Sequence, residues 1–418
     1  MLTEVINMKC GLLGRKLGHS YSPQIHGHLG DYDYALFEKE PDALEDFLQN
    51  GDFTGLNVTV PYKKTVIPYL DMLSDRAQQL RAVNTIVRRG GKLIGHNTDF
   101  FGFETMLRKS GLQVAGKKVL VLGSGGASNT AVAVLREQGA NVVVISRSGE
   151  DNYENLGKHA DAAVIVNTTP VGMYPETDRS PIDLAVFPAL EGVLDVIYNP
   201  ARTKLLQQAE ELGLVAMNGL LMLVAQAKES AEWFMDRKVD DSKIAEIHGL
   251  LQQQMENIIL IGMPGCGKSS VGRLLADRIG KTFADADGMI EALAGKSIPK
   301  IFAEDGEESF RDWETKALAQ LGKQSGLVIA TGGGCVTKAR NYPLLHQNGT
   351  IFWLQRDLDE LPTDGRPLSQ ANRLSDLYAV RKSLYAHFAD YVVDNNGCIE
   401  EAAQAIGDCH VGVRTGSQ

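Results

Sequence analysis

The chain has 418 residues, of which 44% are hydrophobic, 22% charged and 7% aromatic. This balance excludes disordered, collagen-like and coiled-coil classes, and at roughly 150 residues per domain it predicts about three compact modules. A formal charge of −10 argues against nucleic acid or an anionic membrane as a main partner, while leaving room for local basic pockets that take phosphate or carboxylate. No run reaches the roughly 18 apolar residues of a membrane span, and the first residues lack the layout of a signal peptide. The chain is therefore expected in the cytoplasm. Cys10, Cys266, Cys335, Cys398 and Cys409 show no C-x-x-C spacing and are expected as reduced thiols.

Short apolar runs alternate with amphipathic stretches, the pattern of parallel sheets wrapped by helices, so the fold class is α/β. In chain order, strands are predicted at 118–122, 142–146, 163–166, 192–196, 258–262, 327–330 and 350–354. The stretch 240–255 is polar and favours helix, and it runs straight into the strand that begins at Asn257. The main domain boundary is placed there, with the halves joined by the end of a helix. Residues 411–418 carry no periodicity and are expected as a flexible tail.

The strand at 118–122 leads into Gly123-Ser124-Gly125-Gly126-Ala127-Ser128 and then a helix predicted over Asn129–Glu137. Strand, tight glycine turn and helix make a Rossmann unit whose turn holds a dinucleotide pyrophosphate. The next strand ends in Ser146-Arg147-Ser148, where an NAD site would place Asp or Glu. Arg147 can pair with a 2′-phosphate, so NADPH/NADP+ is favoured over NAD.

Around this unit stand Gly11-Leu-Leu-Gly14, His19-Ser20-Tyr21-Ser22-Pro23, Gly55-Leu-Asn57-Val-Thr59-Val-Pro61-Tyr-Lys63, Ala82-Val-Asn84-Thr85 and Gly95-His-Asn97-Thr98-Asp99. Downstream come Asn167-Thr-Thr-Pro170, Asp195-Val-Ile-Tyr198 and Gly219-x-x-Met222-Leu-Val-x-Gln226. From Met8 to Val239 this series resembles shikimate dehydrogenase. The resemblance implies an α/β substrate domain over 1–100, completed by helices from about 225–255, and a Rossmann NADP domain over 101–225. Ketone reduction leaves an oxygen that needs a proton; Lys63 is the candidate donor, and the resemblance puts Asp99 beside it. Ser20 and Ser22, alternating along an extended segment, are expected to hold the substrate carboxylate. Thr59, Asn84 and Gln226, with Tyr198 close by, are expected to hold ring hydroxyls, and Gly219 lies on the cofactor side. The neighbouring histidines are given no role.

In the C-terminal half, Gly262-Met-Pro-Gly265-Cys266-Gly267-Lys268-Ser269 fits G-x-x-x-x-G-K-[ST] between a strand and a helix predicted over Ser270–Ile279. The glycines turn backbone N–H groups toward nucleotide phosphates. Lys268 would reach the outer phosphates, Ser270 opens the helix, and Ser269 offers a hydroxyl to Mg2+. Phe283-Ala-Asp285-Ala-Asp287, Phe310-Arg311-Asp-Trp-Glu314, Gly332-Gly333-Gly334, Gly365-Arg366-Pro-Leu and Arg381-x-x-x-Tyr385 follow. In order and spacing they resemble shikimate kinase, a P-loop domain with a parallel sheet, expected over 257–410. Arg311 and Arg381 offer guanidinium forks to a carboxylate, and Gly332 to Gly334 allow close approach of backbone to the ring. As the resemblance implies, Asp287 accepts from the reacting hydroxyl, Asp285 serves Mg2+, and Arg366 is a lid arginine for the transferring phosphoryl group.

Together the resemblances imply a bifunctional enzyme of aromatic amino-acid biosynthesis. The N-terminal half would reduce 3-dehydroshikimate to shikimate with NADPH, and the C-terminal half would phosphorylate shikimate with ATP and Mg2+. Two alternatives stay open: a catabolic quinate/shikimate dehydrogenase fused to a kinase, and a non-catalytic sensor of nucleotide and shikimate. Oligomeric state is left open.

Overall fold

The computed structural model describes residues 8–18, 20–361 and 374–412. Three sheets form, and the chain divides into two compact units. The first runs to Gly172 and also takes in Arg179–Tyr198 and Gln208–His248. The second comprises Met173–Asp178, Asn199–Gln207 and the chain from Gly249. The division thus falls inside the helix Ser242–Met255, ahead of the junction drawn from sequence at Asn257.

The first unit opens with a mixed six-stranded sheet: β1 (Lys9–Gly14), β2 (Asp33–Glu38), β3 (Gly55–Val58), β4 (Met72–Leu73), β5 (Thr85–Arg89) and β6 (Lys92–His96), in the order β2-β1-β3-β5-β6-β4. β1 runs parallel to both neighbours, and β5 is antiparallel to β3 and β6. Sequence patterning left these strands unlocated because they are short and β2, β5 and β6 include charged residues. The second sheet is β7 (Lys118–Leu122), β8 (Asn141–Ile145), β9 (Val164–Asn167), β10 (Gly192–Asp195) and β11 (Val215–Met217), ordered β11-β10-β9-β7-β8 and parallel throughout.

The second unit is built on β12 (Asn257–Ile261), β13 (Thr282–Asp285), β14 (Leu327–Ala330), β15 (Gly349–Gln355) and β16 (Tyr391–Asp394), ordered β13-β14-β12-β15-β16, again all parallel. Ile258, Ile259, Leu260 and Ile261 are fully buried, as a central parallel strand covered on both faces requires. This burial is why the central strands read as continuous apolar runs. Two helices start earlier than the sequence suggests, at Gly126 and Lys268, because the last residues of each glycine turn already adopt helical geometry. All five cysteines are free, with Cys10, Cys266 and Cys335 buried. Among the described residues no helix is long and apolar enough to cross a membrane.

Fully buried Asn257 ties β12 to the approach of β14: its Nδ2 donates to Gln324 O at 2.7 Å, and its Oδ1 accepts from Leu327 N–H at 2.9 Å. Asn257→Ala strands both backbone groups and is expected to cost about 1–3 kcal/mol. Equilibrium urea unfolding followed by tryptophan fluorescence checks this.

Candidate functional site

Each unit holds one cavity lined by residues that the sequence singles out. In the first unit a cavity of about 280 Å³ brings together Ser20, Ser22, Thr59, Lys63, Asn84, Asp99, Tyr198 and Gln226, with Ala127, Gly219 and Met222 on its wall. The first six come from segments at the ends of β1, β3, β5 and β6, while Gln226 projects from the helix Leu220–Met235. Lys63 Nζ lies 2.6 Å from Asp99 Oδ2, both side chains half-buried at 28% and 13% exposure. The 36 positions between them are closed by the turn after β3 and the start of the helix Asp99–Ser110. Thr98 N–H donates to Asn84 Oδ1 at 2.7 Å, which turns the Asn84 amide so that Nδ2 donates to Asp99 Oδ1 at 2.9 Å. One Asp99 oxygen therefore serves Lys63 and the other serves Asn84.

The serine pair differs from the extended arrangement expected. Tyr21 has helical geometry, and Ser22 is the first residue of the helix Ser22–Gly27, with Pro23 in its first turn, where proline lacks no needed N–H. Ser22 N–H donates to Ser20 Oγ at 3.2 Å, so a turn rather than strand alternation brings the two hydroxyls to one cavity. His26 and His96 are packing groups. Burial pushes His26 down to about 3 and His96 to about 4, and His96 stacks on Trp233 with ring centroids 3.6 Å apart.

The dinucleotide turn starts at Gly123, whose φ of 106° suits glycine and where an added Cβ would stand 2.9 Å from Thr168 Oγ1. Gly125 and Gly126 face open space, Ser124 is exposed, Ser128 is buried, and exposed Arg147 follows β8. Two buried side chains shape the crevice beyond the strand ends. Asn167 Nδ2 donates to Asp195 Oδ1 at 3.0 Å, and Asn167 Oδ1 accepts from Thr169 N–H at 3.0 Å. This carboxyl-end crevice is where open α/β sheets take ligands.

In the second unit a cavity of about 1020 Å³ is lined by Gly265, Gly267, Lys268, Ser269, Ser270, Asp285, Asp287, Arg311, Gly332, Gly333, Gly334 and Arg381. Gly262 and Cys266 stand behind this lining, and the Cys266 thiol is fully buried. Lys268 Nζ donates to the carbonyls of Gly262 and Met263, both at 3.0 Å, folding over the loop it follows. Ser269 Oγ donates to Asp285 Oδ2 at 3.1 Å, placing two hard oxygen ligands side by side. Among the described residues no group of three or more His, Cys, Asp or Glu could hold a metal by itself. Ser269 and Asp285 therefore fit a Mg2+ that keeps waters and phosphate oxygens as its other ligands. Asp287 opens onto the cavity. The cleft walls strip its water and push its carboxyl above the usual range; Asp285 and Glu291 add repulsion, while Lys268 and Arg311 oppose the shift.

Arg311 Nη1 donates to Glu314 Oε2 at 2.8 Å, and its Nη2 to Glu307 Oε1 at 3.1 Å. Glu314 is fully buried; burial raises its carboxyl and Arg311 opposes that. An added Cβ at Gly332 would stand 2.7 Å from Glu314 Oε1, and one at Gly334 would run into the Arg311 guanidinium. The glycine run thus makes room first for the pocket's own side chains. Arg381 Nη1 donates to Gly333 O at 3.1 Å, leaving other N–H groups for a ligand. Arg366 lies outside the described residues.

Asn57, Glu314 and Asn395 are site residues to which the sequence assigned no role. Asn57 lines the first cavity. Asn395 Nδ2 donates to Cys266 O at 2.6 Å, and Gly267 (φ 94°) would bring a Cβ within 2.7 Å of that Nδ2. Asn395 thus supports the phosphate loop from 129 positions away, a relation no local pattern reveals.

Two family models match: the shikimate dehydrogenase substrate binding domain over residues 12–86 and shikimate kinase over residues 264–409. The shikimate dehydrogenase (NADP(+)) of Clostridium perfringens is 35% identical over 260 residues, covering 57% of this chain and 96% of that protein. Among solved structures, shikimate dehydrogenase 1 from Peptoclostridium difficile is 36% identical with a TM-score of 0.54, covering 59% of this chain and 98% of that one. A chorismate mutase/shikimate 5-dehydrogenase fusion protein from Clostridium acetobutylicum is 35% identical with a TM-score of 0.56 over the same shares, 59% and 98%.

Removing the Asn395 brace should loosen the phosphate loop without touching the first cavity. Asn395→Ala is expected to weaken ATP binding roughly tenfold and to leave dinucleotide affinity unchanged, as measured by calorimetric titration of each.

Proposed function

The chain belongs to the shikimate dehydrogenase family and carries a shikimate kinase domain behind it, and from that premise we propose that it performs two consecutive steps on one metabolite. The first cavity takes 3-dehydroshikimate, NADPH and a proton and yields shikimate and NADP+; the second takes shikimate and ATP and yields shikimate 3-phosphate and ADP. The observation that carries this reading is that two separate cavities gather the residues each reaction needs: a lysine–carboxylate pair in one, and a phosphate loop facing a carboxylate and two arginines in the other. The enzyme would work in the cytoplasm on small molecules.

In the dehydrogenase, the turn Gly123–Ser128 with Gly219 would hold NADPH, and Arg147 would meet its 2′-phosphate. When bound, NADPH supplies the hydride. Ser20 and Ser22 grip the substrate carboxylate, while Thr59, Asn84, Tyr198 and Gln226 hold the ring. Lys63 Nζ gives a proton to the oxygen that gains charge as the carbonyl is reduced, and Asp99 holds the ammonium in place and helps it regain a proton.

In the kinase, Gly262 to Ser270 would cradle the ATP phosphates, with Ser269 directly and Asp285 through water on Mg2+. Arg311 and Arg381 hold the shikimate carboxylate, Gly332 to Gly334 lie along its ring, and Asp287 accepts from the hydroxyl that attacks the γ-phosphorus. Arg366 would neutralise the group in transfer.

The test is a paired assay of the whole chain. Lys63→Ala is expected to abolish NADPH oxidation with 3-dehydroshikimate and spare phosphorylation, and Lys268→Ala to do the reverse. Loss of both activities in either variant would overturn the assignment of two self-contained sites, and preferential turnover of quinate would replace the substrate of the first. Asp287 acts only when ionised and its carboxyl is raised, so phosphorylation should fall on the acid side at a higher pH than an ordinary aspartate would give. Asp287→Asn is expected to lower kcat by about 10²–10⁴ and to erase that acid limb, read from kcat/KM against pH.

A further inference from the structure

Beneath the first cavity lies a band of buried polar side chains that touch one another rather than solvent. Ser230 and Thr98 are fully buried, as is Thr85, and Asn57 and Asn84 are nearly so. They come from β3, β5, the segment after β6 and the helix Leu220–Met235, so their meeting is made by tertiary structure alone. Ser230 Oγ is the hub: it lies 2.8 Å from Asn57 Nδ2, 2.7 Å from Thr85 Oγ1, 2.9 Å from Thr98 Oγ1 and 2.9 Å from Gln226 O.

The donors in this band can be assigned. Tyr34 O–H donates to Asn57 Oδ1 at 2.7 Å, so the Asn57 nitrogen faces Ser230 and donates to it. A carbonyl only accepts, so the single Ser230 proton goes to Gln226 O, and the second lone pair is shared by the hydroxyls of Thr85 and Thr98, 2.7 and 2.9 Å away. On the far side, Asn84 Nδ2 donates to both Thr98 Oγ1 at 3.0 Å and Asp99 Oδ1 at 2.9 Å. Through Thr98 the contacts run Asp99, Asn84, Thr98, Ser230, Gln226. It connects the partner of Lys63 to the helix four residues above Gln226, which itself lines the cavity.

We propose that Ser230 is a positioning residue for 3-dehydroshikimate reduction: its hydroxyl pins the Thr98–Asn84–Asp99 chain to the helix carrying Gln226, so ring grip and proton donation are set together. This rests on the dehydrogenase reading given above. Ser230 touches no substrate. Its effect passes through Asn84 and Gln226, which the proposed function places on the ring, and not through the dinucleotide turn.

The experiment uses the full chain with Ser230→Ala, Thr98→Val and the double variant. Ser230→Ala is expected to raise KM for 3-dehydroshikimate and lower kcat, each about five- to tenfold, so that kcat/KM falls about 25- to 100-fold, the scale of buried polar groups left without their partner. KM for NADPH and shikimate phosphorylation should stay unchanged. A smaller folded fraction would lower kcat alone and leave every KM in place, so that pattern overturns the proposal, as does a KM for 3-dehydroshikimate within twofold of wild type. Thr98→Val should reproduce the effect, and the double variant should be no worse than the poorer single, whereas additive losses count against a shared chain. If Ser230→Ala does not fold, Thr98 decides: Thr98→Ser, which keeps the hydroxyl, must behave as wild type while Thr98→Val is impaired, and equal behaviour of the two overturns the proposal. A wild-type chain that fails to reduce 3-dehydroshikimate at all would instead refute the dehydrogenase reading, and the inference with it.

Discussion

Four helix starts govern the chemistry of this protein, and what distinguishes them is whether an acidic side chain occupies the first turn. The opening N–H groups of any helix lack intrahelical partners and carry a partial positive charge. The helices Gly126–Glu137 and Lys268–Ile279, which follow β7 and β12, have glycine at the N-cap, no side-chain cap and no acid in the first turn. Their donors stay free for phosphate. The helix Asp99–Ser110 begins with Asp99, and Asp287 is the second residue of the helix Ala286–Ala294; both carboxylates face the cavities. The proposed phosphate sites and the two cavity carboxylates thus draw on the same backbone property, divided between bare and occupied helix ends.

The charged groups around these ends are held at some energetic cost. Arg311 and Glu314 form an almost completely buried pair, an arrangement that adds little net stability because desolvation offsets attraction. What the pair supplies is a fixed guanidinium plane, with glycine at 332 and 334 because any side chain there would intrude on it. Lys63 and Asp99 are less enclosed, as suits the proton exchange proposed for that ammonium.

Much of this was legible in the sequence where function and local pattern coincide. The buried strands β7 and β12 read as apolar runs, and the strand–turn–helix units that follow them were legible because turn, strand and helix are neighbours in the chain. Lys63 and Asp99 could be paired only through the family resemblance, since nothing local links residues on separate segments. Asn395, Glu314 and Asn57 received no role because an isolated polar residue gives no sign of what it will touch. Ser22 was misread as part of an extended stretch: Ser-Pro is compatible with both a turn and a helix start, and the choice is made by packing of the helix Ser22–Gly27 around buried Ile25. The mixed sheet was missed for a related reason, its strands being short and β2, β5 and β6 carrying charged residues within them.

The distribution of thiols has a practical corollary. Burial pushes Cys10 and Cys335 up to about 12, and Cys266 has no surface through which a reagent could enter. Cys398 is exposed and stands next to Ile399, part of the wall of the larger cavity. A maleimide dye would react there first, giving a fluorescent reporter at the rim of the ATP site without engineered cysteines.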